Sequence, residues 1–222
     1  MKQQAVHYFP GHMQKALRKV ESFISLVDIV IELVDARAPL SSRNPLLTGL
    51  NPSKPRLILL SKDDMADGEV TRLWVDYFRQ SGIQCVSANL KKGKLLGLLS
   101  SSVDKAISAK REKEKRLGMK RQPAKAMVIG IPNVGKSTLI NSLASRKAAS
   151  VGNKAGITRA EQWIKLSEDF ILLDTPGILP MNYPTPEQAV RLALLGSMRE
   201  DVMPNDELAE RCLLYTSDAA DE

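Results

Sequence analysis

The chain has 222 residues, of which 43% are hydrophobic, and a formal net charge of +7 at pH 7. This length and apolar content suffice for a globular domain with its own core. No apolar run reaches the length of a membrane span, and the first residues lack an apolar signal segment, so we expect neither a membrane protein nor a secreted one. Cys85 and Cys212 lie far apart without metal-ligand spacing, which favours a reducing, cytoplasmic compartment.

The first predicted element is a helix from about residue 13 to Val27, where apolar residues recur at helical spacing. Lys15, Arg18 and Lys19 give this helix a basic face. His12 stands at its start. A lone histidine is usually structural, so the residues alone give His12 little claim to a catalytic role.

Residues 29–34 form a continuous apolar run, which predicts a strand in the centre of a parallel sheet. Asp35 and Arg37 follow this strand directly. Charged residues at that end of an α/β sheet lie where ligands bind. A salt bridge within the loop is the slightly better interpretation, and a direct nucleotide contact remains open.

The remaining elements alternate between strands and helices. Strands are predicted at 56–60, 84–86, 127–129, 162–166 and 170–173, and helices near 74–82, at 95–109, after the 127–129 strand and at 187–199. This alternation predicts an α/β fold with a mostly parallel sheet and helices on both faces.

Positive charge is concentrated between residues 105 and 125. The segment has nine Lys or Arg residues against Glu112 and Glu114, an excess equal to the net charge of the whole chain. Such a cluster can bind a polyanion such as RNA. A solvated helical linker is an equally good interpretation.

A phosphate-binding loop follows the 127–129 strand. Residues 130–137 have the pattern Gly-x-x-x-x-Gly-Lys-Ser, with Gly130 and Gly135 at its turns, and a helix follows. The backbone N–H groups of such a loop, including that of Val134, converge on phosphate oxygens at a helix N-terminus. Lys136 is predicted to reach the β- and γ-phosphates, and Ser137 to bind Mg²⁺ beside Thr138.

Two further positions complete the predicted phosphate site. Asp174 ends the 170–173 strand and can hold Mg²⁺ through water, while the N–H of Gly177 can contact the γ-phosphate. Thr158 lies between the phosphate loop and Asp174, and it is the predicted second protein ligand of Mg²⁺.

A guanine-recognition element is predicted at residues 61–64. Ser61-Lys62-Asp63-Asp64 resembles the Asn-Lys-x-Asp element of GTPases, in which the aspartate accepts hydrogen bonds from guanine N1–H and its amino group. Lys62 would stack along the base. Ser61 replaces the usual Asn, so we expect a weaker contact both to the base and to the phosphate loop. Ser87-Ala88 resembles the element whose backbone contacts guanine O6.

The order of these elements indicates circular permutation. The guanine elements precede the phosphate loop, whereas they follow it in ordinary GTPases. The fold can survive this change because the termini of a domain are often close together. The basic segment 105–125 would join the former ends.

The sequence over residues 7 to about 200 resembles the ribosome biogenesis GTPase A family, the YlqF-type circularly permuted GTPases. The resemblance rests on the nucleotide elements and on three further motifs: Phe9-Pro-Gly-His-Met13, Val34-Asp-Ala-Arg37 with Pro39-Leu-Ser-Ser-Arg-Asn-Pro45, and Gly130-x-Pro-Asn-Val-Gly-Lys-Ser-Thr138. It implies a GTPase acting in late assembly of the large ribosomal subunit. Docking to the precursor particle and its rRNA would require GTP, and hydrolysis would release the factor.

The resemblance also implies roles for single residues. Ile178 occupies the place of a water-orienting Gln, so unassisted hydrolysis should be slow, on the order of 10⁻⁴ to 10⁻² s⁻¹. His12 would orient the water instead, once the ribosomal particle positions it. Asn133 is similar to the Asn with which K⁺-stimulated GTPases hold the cation. A turn residue is the less favoured alternative. The alternative function is an RNA-binding module with GTP as a static ligand.

The expected domain organisation has four parts. They are an N-terminal basic helix (1–27), the permuted GTPase domain (28–182), the start of a truncated C-terminal helical RNA-binding domain (183–211) and a non-native tail (212–222). We expect a monomer that binds neither DNA nor membranes.

Overall fold

The computed structural model describes residues 11–92, 94–148, 162–175, 177–178 and 185–197, together with 206, 208–210 and 213. The predictions for Thr158, for the tail and for residues 1–10 therefore lie outside the described residues, apart from position 213. Among the described residues, no helix combines the length and the apolar character that a membrane span requires.

The core of the fold is a six-stranded sheet with the order β3-β2-β1-β4-β6-β5. Neighbouring strands are parallel except for β5 and β6, which are antiparallel. The predicted central strand is β1, and all of its residues are buried. The strands are β1 Ile29–Asp35, β2 Arg56–Ser61, β3 Gln84–Ala88, β4 Ala124–Ile129, β5 Gln162–Ser167 and β6 Phe170–Asp174.

Helices cover both faces of the sheet because side chains alternate along each strand. The face that carries Ile29, Ile31 and Leu33 packs against α4, α6 and α7. The opposite face packs against α1 and α2 near Val30 and against α3 near Val34. The helices are α1 Gly11–Ile24, α2 Pro45–Thr48, α3 Gly68–Gln80, α4 Leu95–Ala106, α5 Ser108–Arg116, α6 Lys136–Ala148 and α7 Pro186–Leu194.

Two helix predictions differ from the structure. The single helix predicted at 95–109 is divided at Ile107, which ends α4, precedes α5 and has its side chain buried in the core. The helix predicted at 187–199 ends at Leu194. Gly196 follows in a left-handed conformation (φ 66°), and its N–H donates to the carbonyl of Ala193. A glycine there commonly terminates a helix.

The basic segment 105–125 is a structured part of the domain and is partly neutralised. Its side chains Lys110, Arg111 and Arg121 form ion pairs with Asp28, Asp104, Glu114 and Asp169. The other six basic side chains are exposed. They are Lys105, Lys113, Lys115, Arg116, Lys120 and Lys125.

Candidate nucleotide-binding site

The phosphate loop lies between β4 and α6, directly against the end of β1. A Cβ atom at Gly130 would lie 2.7 Å from the carbonyl oxygen of Leu33, so a side chain cannot be accommodated there. Gly135 has a φ of 109°, and a Cβ atom there would lie 2.9 Å from Leu90 Cδ1. The two glycines therefore allow the loop to approach its neighbours closely, as the sequence predicted.

Lys136 at the start of α6 turns back onto its own loop. Its Nζ donates to the carbonyl oxygens of Gly130 (3.1 Å) and Ile131 (2.7 Å), and the residue is only 8% exposed. Burial lowers the pKa of Lys136 to about 8, and attraction to Asp174 acts in the opposite direction. The ammonium is thus a buried cation held by loop carbonyls.

The segment after β6 lies against this lysine. Asp174 is buried at the end of the strand. A Cβ atom at Gly177 would lie 2.8 Å from Lys136 Nζ and 3.0 Å from the backbone of Pro132. The N–H of Ile178 donates to the carbonyl of Gly130 at 3.2 Å. The structure therefore brings the predicted positions Gly130, Lys136 and Gly177 together.

The side chain of Ile178 packs in the core. It is fully buried in a cluster that includes Val20 and Ile24 of α1. Its carbonyl oxygen accepts a hydrogen bond from Asn44 Nδ2 at 2.8 Å. An alkyl side chain in this place has neither the chemistry nor the exposure needed to orient water.

A cavity of about 220 Å³ opens beside the phosphate loop. The predicted residues Lys62, Asp64, Asn133, Gly135 and Thr138 contribute to its wall. Asp64 is exposed there, and Ser137 is exposed at the start of α6. The first guanine element and the phosphate loop therefore share one cavity.

Ser61 contacts the phosphate loop through its side chain. Its hydroxyl lies 2.7 Å from the carbonyl oxygen of Val134 in the phosphate loop and 3.1 Å from that of Val34. A serine hydroxyl is therefore long enough to bridge these two closely packed segments, and a contact weaker than that of the usual Asn stays a prediction. Val134 is itself buried.

The second predicted guanine element lies at the end of β3, next to the cavity wall. Ser87 and Ala88 belong to β3, whereas the cavity wall is formed by Asn89, Leu90 and Lys91. Leu90, Lys91 and Met65 were not among the predicted site residues, and the contact of Ser87-Ala88 with guanine O6 stays a prediction. The predicted strand ended at residue 86, whereas β3 ends at Ala88. A strand predicted to end at Ala88 would have placed residues 89–91 directly after it, where ligands bind in open α/β sheets.

Asn133 joins the phosphate loop to the turn that follows α7. It has a left-handed backbone (φ 56°), and its Nδ2 donates to the carbonyl oxygen of Gly196 at 2.7 Å. This hydrogen bond uses the amide nitrogen and does not involve the amide oxygen. The oxygen is the atom of the side chain that could bind a cation.

Comparisons with known proteins agree with this geometry. A sequence family described as "50S ribosome-binding GTPase" matches residues 125–213. The chain is 42% identical to ribosome biogenesis GTPase A of Priestia megaterium over 211 residues, which are 95% of this chain and 73% of that protein. The chain belongs to the ribosome biogenesis GTPase A family.

Relatives in this family have the same fold. The protein of Thermotoga maritima is 34% identical and covers 92% of this chain and 71% of its own length. The crystal structure of GNP-bound YlqF from T. maritima matches with a TM-score of 0.65 at 30% identity, over 94% of this chain and 77% of that one. The GDP-bound structure gives 0.62. The predictions of the family, of a circularly permuted α/β fold and of a GTPase in ribosome assembly are confirmed.

Two predicted residues of this ribosome biogenesis GTPase A family member are not placed. His12 lies in the first turn of α1, where the structure describes only the backbone. Thr158 lies outside the described residues. Their catalytic and metal-binding roles remain predictions.

Proposed function

We propose that this chain binds and hydrolyses GTP to time its association with precursors of the large ribosomal subunit and their rRNA. The observation that carries the proposal is the cavity in which Asp64 and the phosphate loop meet. GTP would bind with its base at Asp64 and its phosphates at Lys136. This role would place the protein in the cytoplasm.

Guanine selectivity rests on Asp64. Its exposed carboxylate can accept hydrogen bonds from guanine N1–H and from the exocyclic amine. Adenine offers no such pair of donors, so it would leave the carboxylate unpaired once the bound base shields it from water. Ser61 would hold the phosphate loop in register with this base site through Val134.

Phosphate binding would require a change of partner at Lys136. The ammonium now bonds the carbonyls of Gly130 and Ile131, and phosphate oxygens are stronger acceptors because they are charged. Binding of the nucleotide would return the pKa of Lys136 towards its ordinary value.

The residues present fit a magnesium ion. Ser137 offers a hydroxyl, and Asp174 a carboxylate close enough to attract Lys136. These are the hard oxygen donors that Mg²⁺ prefers, and Thr158 would add another. When bound, Mg²⁺ neutralises charge that develops on the phosphates. Asn133 would contribute its amide oxygen to a K⁺ ion.

Hydrolysis should be slow in the isolated protein. Ile178 is buried, so it leaves the attacking water without a partner. His12 in α1 would supply this function on the ribosomal particle. The cluster that contains Val20, Ile24 and Ile178 connects α1 with the segment after Gly177.

The test is hydrolysis of GTP and of ATP by the wild-type chain and by Asp64→Asn, with and without large-subunit particles, in K⁺ and in Na⁺. We expect stimulation by particles and by K⁺ in the wild type. We also expect loss of the preference for GTP over ATP in Asp64→Asn. Asp63→Asn is the matched control because Asp63 does not line the cavity. Bound GTP without stimulated turnover would instead favour the static-ligand function.

A further inference from the structure

Asp35 is a buried carboxylate at the end of β1, and two cations bind it. Its Oδ2 lies 2.8 Å from Lys62 Nζ and 2.8 Å from Arg37 Nη2, while its Oδ1 accepts from Arg37 Nε at 3.0 Å and from the Arg37 N–H at 3.1 Å. The Asp35 side chain is 0% exposed. Burial alone would raise its pKa, but the hydrogen bonds from Arg37 and Lys62 outweigh burial and lower it. Asp35 is therefore a charged carboxylate, and both of its oxygens accept from cationic side chains. It acts as an anchor for those side chains.

Lys62 connects this anchor to the nucleotide cavity. It follows β2 in a left-handed conformation (φ 57°) and lines the cavity with Asp64. Its side chain is 24% exposed, and its ammonium is fixed at Asp35. The aliphatic stem is thus held between the end of β2 and the end of β1. A lysine without such an anchor has many rotamers, and ordering them opposes binding.

We propose that Asp35 is the positioning residue that holds the Lys62 stem in place to stack on the guanine base. This inference rests on the proposed GTP-binding function. Arg37 has a supporting role. Its two hydrogen bonds from the guanidinium fix the plane of the carboxylate, which leaves Oδ2 directed at Lys62. Because neither Asp35 nor Arg37 lines the cavity, both act through Lys62.

A double-mutant cycle tests this coupling. The affinity for GDP is measured for the wild type, Asp35→Asn, Lys62→Met and the double variant. Asp35→Asn keeps the shape of the side chain and removes its charge. We expect it to weaken GDP binding about 5- to 10-fold in the wild type and less than about twofold when Lys62 is already Met. The kcat of the bound enzyme should stay within about twofold, because the base lies away from the bond that is broken.

A purely structural role would give another result. General loosening of the domain would weaken GDP binding equally in the presence and absence of Lys62, and that outcome would overturn the proposal. Asp104→Asn is the matched control, since Asp104 also accepts from two arginines, Arg111 and Arg121. It should leave GDP affinity unchanged.

Two further measurements separate the possible failures. If Asp35→Asn does not fold, Arg37→Gln carries the same cycle, with a smaller loss of affinity that again requires Lys62. Equal losses in both backgrounds would again contradict the inference. If the wild type itself does not bind GDP, the proposed function fails, and the positioning role fails with it. Binding by the wild type without coupling refutes only the positioning role.

Discussion

The side-chain amide of Asn44 donates a hydrogen bond of 2.8 Å to the carbonyl oxygen of Ile178, which lies 134 positions later in the chain. Ile178 also donates its N–H to Gly130 and packs its side chain beneath α1. The residue after Gly177 is therefore held by the loop after β1, by the phosphate loop and by α1. A displacement of Gly177 towards a γ-phosphate would have to disturb at least one of these contacts.

Asn44→Ser tests the first of these contacts. Asn44 is also the N-cap of α2, where its side chain accepts from the Leu46 N–H. Serine is a good N-cap but is too short to reach Ile178, so it removes the distant bond selectively. We expect a loss of about 1–3 kcal/mol in the free energy of unfolding, because a buried carbonyl loses its partner. Urea denaturation measures this.

The control for Asn44 is Gln80→Ala. It removes an amide from an exposed position at the end of α3 and should change stability by less than about 0.5 kcal/mol. Equal stability of Asn44→Ser and the wild type would show that the carbonyl of Ile178 does not depend on Asn44.

A buried ion pair fixes the base of the same loop. Arg43 donates from Nε and Nη2 to both oxygens of Glu32 (2.9 and 2.8 Å), and Glu32 is only 2% exposed. Arg43→Met leaves that carboxylate buried without its cation, so we expect a loss of about 3–5 kcal/mol. Adding Glu32→Leu should restore most of it. Thermal and urea unfolding of both variants provide the measurement.

The exposed pair between Arg72 and Glu69 serves as the reference for this experiment. Its side chains are 73% and 86% exposed, and Arg72→Met should cost less than about 1 kcal/mol. If Arg43→Met cost as little as Arg72→Met, the buried pair would have no special part in holding the loop.

The sequence predicted well those features that have a local signal. Continuous apolar runs located β1, β2, β4 and β6, and the glycines and Lys136 located the phosphate loop. The break at Ile107 could not be predicted, because nothing in the helical pattern around it shows that this side chain is buried. The bond from Asn44 to Ile178 joins segments remote in sequence, so it has no local pattern at all. The contact of Ser61 with Val134 depended on a packing distance that only the structure supplies.

The buried cation at Lys136 predicts a pH dependence of the nucleotide-free protein. Below about pH 8 the lysine is protonated in both the folded and the unfolded state, so stability does not change with its titration. Between about 8 and the ordinary value of 10.5, the unfolded state holds more protons, so stability rises with pH. Because one pH unit corresponds to about 1.4 kcal/mol, the rise should reach about 3 kcal/mol.

Lys136→Met isolates this effect from other titrations. The difference in unfolding free energy between wild type and variant, measured from pH 7 to 10.5, should show the rise. The same difference should be flat if the folded protein keeps Lys136 at its ordinary pKa.

The exposed cations of the basic segment predict salt-dependent binding to rRNA. Lys113, Lys115, Arg116 and Lys120 are exposed at and after the end of α5. Changing all four to Gln should weaken binding to large-subunit RNA and make the slope of log K against log salt about 2–4 shallower. Arg72→Gln with Arg79→Gln on α3 is the control, and it should leave that slope unchanged.

The strand order also sets a sequence of events during synthesis. β1 to β3 are translated before β4, although β4 pairs with β1 from Ile29 to Glu32. At about 5–20 residues per second, the base-binding half waits roughly 2 to 10 seconds for Lys136 to be added. During this interval the edge of β1 that later pairs with β4 has unpaired backbone N–H and C=O groups. GTP can therefore stabilise the sheet only after β4 and the phosphate loop have been added. Until then β1 to β3 receive no stabilisation from the nucleotide.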